Sequence, residues 1–158
     1  IDPNIKELAI VGIAPDGTHM LMRTPAHARN VRNIFSVLRR AFGIREVLYE
    51  DCYLSVNAKT YARMYHVREL VREACEEEGI QFIPVMPTSW QPVLKIVGKG
   101  KPKRNALKAA AQTYALQLLK HEVTPDLADA VCLLHAARLG VFEVENGVVK
   151  ERKRKRRK

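Results

Sequence analysis

The sequence predicts a mixed α/β layer fold, and two observations carry that reading. Short apolar runs of strand length alternate with longer stretches whose apolar residues recur at helical spacing. Turn and capping residues stand at the junctions between them, in the order strand hairpin, helix, strand, helix, strand and then helices.

Residues 6–14 (KELAIVGIA) read as a strand, and Pro15-Asp16-Gly17 as a turn in which glycine tolerates positive φ. Residues 18–23 return as the second strand of a hairpin. In residues 28–42, Val31, Ile34, Phe35, Leu38 and Phe42 recur at the helix period, and Gly43 ends the helix. Residues 45–50 (REVLYE) form a short strand. Residues 57–78 form a long helix with Leu70, Val71 and Ala74 on one side, closed by Gly79; Met64 and Tyr65 on it are expected in core or dimer packing. Residues 80–85 are another strand, with Pro84 near its end, and Thr88 or Ser89 caps a short helix reaching about Ile96. Residues 98–104 (GKGKPKR) are a Gly-rich basic loop, and residues 105–120 a helix rich in Ala and Leu. Thr124 as N-cap, Pro125 at the first position and acids in the first turn start a last long helix, which runs to about Leu139 and is closed by Gly140. Asn146-Gly147 between apolar pairs suggests a small hairpin over residues 141–149. With no internal repeat or interior linker, the expectation is one domain over residues 1–149 and a basic disordered tail over 150–158.

Apolar residues make up 47% of the 158-residue chain, enough for a core without covalent staples. Cys52, Cys75 and Cys132 are odd in number, widely spaced and outside any CxxC, which argues against a disulfide framework or a cysteine zinc site and for a reducing compartment. No apolar run approaches the ~20 residues of a membrane span, and no signal peptide is visible. The expected location is therefore cytoplasmic, with no membrane partner. The sequence opens Ile-Asp-Pro without Met, so its start reads as clipped, with residues of a first strand expected before it.

The formal net charge is +10, from 27 Lys+Arg against 17 Asp+Glu. Residues 150–158 hold eight basic residues and one acid, a net +7, leaving +3 for the rest. Such a run is either a solubility tail or a phosphate-binding arm that adds salt-sensitive affinity for nucleic acid, and its density favours the arm.

Against that basic background, four acids stand at marked places. Asp2 would end a first strand, Glu50 ends an apolar strand, and Asp126 and Asp129 lie three apart on the first turn of a helix, on one face. Carboxylates from strand ends and a helix start can converge, and grouped carboxylates disfavour one another unless cations sit between them. Hard divalent ions such as Mg²⁺ suit oxygen donors of this kind, so the four together point toward a two-metal nuclease centre. Singly, each has a plainer explanation: Asp126 a charge complementing the helix dipole, Glu50 a polar strand end, Asp2 a solvated terminus.

These residues resemble the RuvC family of Holliday-junction resolvases. Ile1-Asp2-Pro3 is similar to that family's strand-end GIDP. Tyr49-Glu50-Asp51-Cys52-Tyr53 followed by Asn57 resembles its glutamate segment, with an aromatic three residues after the Glu and an Asn seven after it. Val97-Gly98-Lys99-Gly100 with Lys103 and Arg104 resembles its V-G-x-G loop, and Asp126-Leu127-Ala128-Asp129-Ala130 its D-x-A-D-A. All four occur in the family's order, over roughly residues 1–140. The resemblance implies a ribonuclease-H-like fold, a mixed five-stranded sheet with helices on both faces, working as a homodimer. It implies cutting of four-way DNA junctions by paired symmetric nicks with two Mg²⁺ per site, Mn²⁺ substituting, leaving a 5′-phosphate and a 3′-hydroxyl. By position, Asp2, Glu50, Asp126 and Asp129 would be the catalytic metal ligands. Tyr53 matches an aromatic that pushes into the junction, and Asn57, Lys95, Lys99, Lys101, Lys103 and Arg104 are expected DNA contacts. Lys95, three before Gly98, is out of register with the family's lysine, Pro92 interrupts a stretch usually helical, and the polybasic tail is an addition. These departures suggest a divergent member from a bacterial or phage-infected cell. Two other readings stay open: a ribonuclease-H-like nuclease acting on other branched DNA or RNA–DNA hybrids, and a non-catalytic basic DNA-binding module.

Overall fold

The structure is a computed structural model that describes residues 1–3, 6–13, 19–51, 57–95, 103–145 and 148–151. Strands β1 (Asp2–Pro3), β2 (Glu7–Ile13) and β3 (His19–Pro25) form an antiparallel sheet in the order β1-β2-β3, with Asp2 opposite Ala9 and Val11 opposite Leu21. Helix α1 (Ala28–Phe42) has the bounds its apolar period predicts, burying Val31, Phe35 and Leu38. Gly43 closes it at φ 63°, a left-handed conformation that glycine adopts without a Cβ clash. Strand β4 (Glu46–Glu50) then pairs in parallel with β5 (Gln81–Val85) through the crossover helix α2 (Ala58–Glu77). In that pairing Pro84 lies opposite Tyr49.

After β5 comes the short α3 (Pro87–Trp90), a 3-10 turn (Gln91–Leu94), and the long α4 (Arg104–Leu119) and α5 (Pro125–Arg138). The hairpin of β6 (Phe142–Glu145) and β7 (Val148–Glu151) ends the described chain. The helix expected to begin at Thr88 or Ser89 starts earlier, because Pro87 supplies the φ of a first helical position without needing its missing N–H bonded. It does not reach Ile96 as one α-helix: Pro92 enters a tighter 3-10 turn, which Lys95 closes at φ 48°. Lys150 and Glu151, assigned to the tail by sequence, lie in β7, and residues 152–158 fall outside the described residues.

One five-stranded sheet is not formed among the described residues. There are three ladders: β1-β2-β3, β4-β5 and β6-β7. The first two are joined only locally, where the Ile1 amine donates to Leu48 O at 2.7 Å and Glu50 N donates to Ile1 O at 2.9 Å. The described part of β1 pairs along β2 at Asp2 and Pro3, and these two main-chain bonds at Ile1 are its hydrogen bonds to β4 among the described residues.

Strand alternation places helices on both faces. Leu8 and Ile10 of β2, with Val47 and Tyr49 of β4, pack with Val31, Phe35, Val67 and Val71 of α1 and α2. Leu48, in the opposite phase, packs with Ile83, Val85, Trp90 and the buried stripe Ala128, Val131, Cys132 and Ala136 of α5. Glu50 has the same phase as Leu48, so the strand delivers it to the α5 side. No described helix is long and apolar enough to cross a membrane.

Candidate functional site

Glu50 is the last residue of β4, opposite Val85. Its carboxyl pKa is raised to about 7, first by burial and then by the negative charge of Asp129. Three groups oppose the rise: first the positive charge of the Ile1 amine, then the Trp90 indole N–H, which sits toward the carboxylate, and the Lys108 ammonium. Trp90 Nε1 is buried and closes no hydrogen bond of normal geometry, so it is a donor held in reserve beside an acid.

Asp129 lies one turn into α5 with 15% of its side chain exposed. Its carboxyl is raised to about 6, again by burial first, with Asp126 adding repulsion and Lys108 and Arg104 drawing it back. Thr124 and Pro125 set this helix start as the sequence predicts, although the Thr124 side chain makes no capping bond. Cys132, one turn beyond Asp129, reports the same neighbourhood. Burial pushes its thiol up to about 12, with Asp129 and Glu50 both contributing, so its reactive thiolate is suppressed.

Asp126 completes the described part of the cluster. Lys108 Nζ donates to Asp126 Oδ1 at 3.0 Å and stands 3.6 Å from Asp129 Oδ2. The structure thus brings Glu50, Asp126 and Asp129 to one place from elements 76 residues apart in sequence at their closest, Glu50 to Asp126. Asp2 has its main chain in β1, next to the end of β4, while its side chain lies outside the described residues. Among the described side chains, no three acids, histidines or cysteines are grouped closely enough to hold a metal ion.

The expected DNA contacts divide. Tyr53, Lys99 and Lys101 lie outside the described residues. Lys103 and Arg104 are exposed at the start of α4, and the charge of Arg104 reaches Asp129. Lys95 is exposed at the end of the 3-10 turn. Asn57 serves the fold, since its Oδ1 accepts from Thr60 N at 2.9 Å and caps α2. Sequence reasoning missed Lys108 and Trp90. The available signals were that Lys108 stands one helical turn after Arg104 and that Trp90 is the sole tryptophan.

No family model matches the chain. A curated relative, the crossover junction endodeoxyribonuclease RuvC of Koribacter versatilis, is 29% identical over 135 residues, covering 79% of this chain and 77% of that protein. Thermus thermophilus RuvC matches in structure with a TM-score of 0.61 at 17% identity, over 88% of this chain and 93% of that one. The chain is RuvC-like. A second T. thermophilus RuvC structure, in complex with a Holliday junction substrate, matches with a TM-score of 0.59 at 15% identity over the same shares. The RuvC likeness carries the ribonuclease-H-like α/β fold.

Proposed function

We propose that the chain is a structure-selective endodeoxyribonuclease that resolves four-way DNA junctions by paired symmetric nicks. The observation that supports this best is the meeting of Glu50 and Asp129. Both are desolvated and mutually repelling, both have raised pKa values, and they sit in a RuvC-like chain. A pure DNA-binding module gains nothing from buried negative charge facing a phosphate backbone.

Donor chemistry fits a hard divalent cation. The available atoms are carboxylate oxygens, they are short of positive charge, and a lysine ammonium already answers two of them. Asp2, Glu50, Asp126 and Asp129 would hold two Mg²⁺, with Mn²⁺ substituting. When bound, such ions lower the pKa of an attacking water and stabilise the leaving 3′ oxygen, leaving a 5′-phosphate and a 3′-hydroxyl. The chain's own residues do the rest. Without metal, the Glu50–Asp129 pair retains a proton near neutrality, which relieves the repulsion between them. Trp90, itself buried, holds its indole N–H beside the Glu50 carboxyl. Lys103 and Arg104 combine with the N-terminal amides of α4 to receive a phosphate, and Lys95, with Lys99 and Lys101 of the sequence between, would add further backbone contacts.

A two-fold substrate calls for a two-fold enzyme, and α2 is the helix proposed for a homodimer contact. Tyr61 and Tyr65 stack on it with centroids 6.2 Å apart, Tyr65 is 43% exposed, and Arg68 lies over its ring. Of the two settings expected for Met64 and Tyr65, core or dimer packing, the exposure of Tyr65 favours the second.

The test is cleavage of a four-way junction, a fork and an RNA–DNA hybrid with Mg²⁺, Ca²⁺ or EDTA. Paired nicks in the junction with Mg²⁺, and binding without turnover with Ca²⁺, are expected. Equal cutting in EDTA, or preferential cutting of the hybrid, would overturn the reading.

A further inference from the structure

Lys108 touches two of the carboxylates at once, and its charge reaches the third. It projects from α4, one turn after Arg104. That helix is held against α5 by close packing at Ala111, whose carbonyl is the acceptor for Cys132 Sγ at 3.8 Å. The Lys108 side chain is 30% exposed, so the ammonium is neither sealed in nor freely solvated. Two like-charged aspartates one turn apart on α5 are therefore bridged from a neighbouring helix by a compact cation with three donors.

We propose that Lys108 is a built-in counter-cation: it holds the Asp126–Asp129 pair in the metal-free protein and gives way when a divalent ion binds, so that it sets the metal affinity of the site. The inference rests on the reading of these carboxylates as metal ligands. A divalent ion on the same oxygens would stand as a like charge at hydrogen-bond range from the ammonium, and the two repel strongly in a partly desolvated site. Lys108 can yield because its four-carbon stem is flexible and reaches solvent, whereas α4 is anchored by its small-residue contact with α5. Lys108 is a positioning residue. It keeps the two acids of one helix face side by side before loading, and it discourages loading by ions that bind carboxylates weakly.

The experiment titrates MnCl₂ into the full chain without DNA, followed by calorimetry and by the fluorescence of Trp90, the sole tryptophan, which lies beside Glu50. Lys108→Gln is expected to bind Mn²⁺ about tenfold more tightly than wild type, as follows from removing one competing charge. Lys108→Arg, which keeps the charge, should stay near wild type. Affinity in Lys108→Gln equal to or weaker than wild type overturns the proposal. Should that variant fail to fold by circular dichroism, acylation of Lys108 in the wild type decides. Labelling that rises with Mn²⁺ supports displacement, and unchanged labelling overturns it. Asp129→Asn separates the two layers of inference. Wild-type binding that this variant abolishes but Lys108→Gln leaves unaltered removes only the role of Lys108. The absence of saturable binding in the wild type removes the metal reading and the role of Lys108 with it.

Discussion

The main-chain N–H of Glu50 donates to the carbonyl of Ile1 at 2.9 Å. This bond ties the end of β4 to the start of β1, so the main chain of Asp2 begins where the Glu50 carboxyl is delivered to the α5 side. Two acids 48 positions apart are thereby set at adjoining strand ends by backbone pairing alone.

Glu50→Gln and Asp129→Asn are each expected to reduce junction cleavage to background while leaving junction binding intact or tighter. Each removes a negative charge from the path of the DNA backbone and keeps the shape of the side chain. Gel-shift and cleavage assays on the same folded variants check this. Binding lost in step with cleavage would count against the two residues as catalytic ligands.

The raised carboxyls give the metal-free protein a definite pH dependence. Glu50 rises from 4.5 to about 7 and Asp129 from 3.8 to about 6 on folding. Such acids bind more protons folded than unfolded. Stability is therefore greatest below the unfolded values and declines as pH climbs through the folded ones. In EDTA the melting temperature should fall between pH 5 and pH 8, and Glu50→Gln should flatten that fall. Saturating MgCl₂ should raise the melting temperature more at pH 8 than at pH 5. Parallel pH profiles for wild type and Glu50→Gln would refute the assignment.

Removing residues 152–158, seven consecutive Lys or Arg, spares both strands of the β6–β7 hairpin. The truncated chain should bind all DNA substrates more weakly and with a shallower salt dependence, by roughly one unit of log–log slope for each phosphate no longer neutralised. Its preference for junction over duplex should persist. Titrations at several salt concentrations decide, and coincident slopes would make the segment a solubility device.

Asn57→Ala should destabilise the protein by about 1 kcal/mol through loss of the α2 cap, and Asn57→Ser should restore most of it. Thermal unfolding measures the cost. If both variants bind junctions as wild type does, capping is the whole role of Asn57; a binding defect in both, at restored stability for Ser, would add a DNA contact.

Local signals in the sequence were reliable where one residue type dominates the physics. The bounds of α1 follow from Gly43 and the Val31–Phe35–Leu38 stripe, and α5 begins at Pro125 as its first-turn chemistry requires. The proximity of Glu50, Asp126 and Asp129 was legible because Glu50 ends β4 and the two aspartates lie three residues apart near the start of α5, whereas the Asp2 side chain lies outside the described residues. Lys108 and Trp90 were not, because their part depends on how α4 and the β5–α3 junction dock on α5, a long-range outcome that no local period encodes. The sheet was misjudged for a related reason. Strand runs can be read from alternation, but which strands share one ladder is a long-range outcome that alternation does not encode.

Pro84 has a consequence for self-association. Gln81 N donates to Arg45 O and Val85 O accepts from Asp51 N, so odd-numbered residues of β5 turn their polar groups to β4. Phe82 and Pro84 therefore present theirs to the outer edge, and Pro84 has no N–H to offer. Strand β7 comes close to β5, yet the two form no ladder among the described residues. A stray strand approaching that edge would find a single main-chain donor, from Phe82, between two inward-facing neighbours. The edge is a poor template for fibril growth, and another chain would gain little main-chain pairing by extending the β4–β5 ladder there.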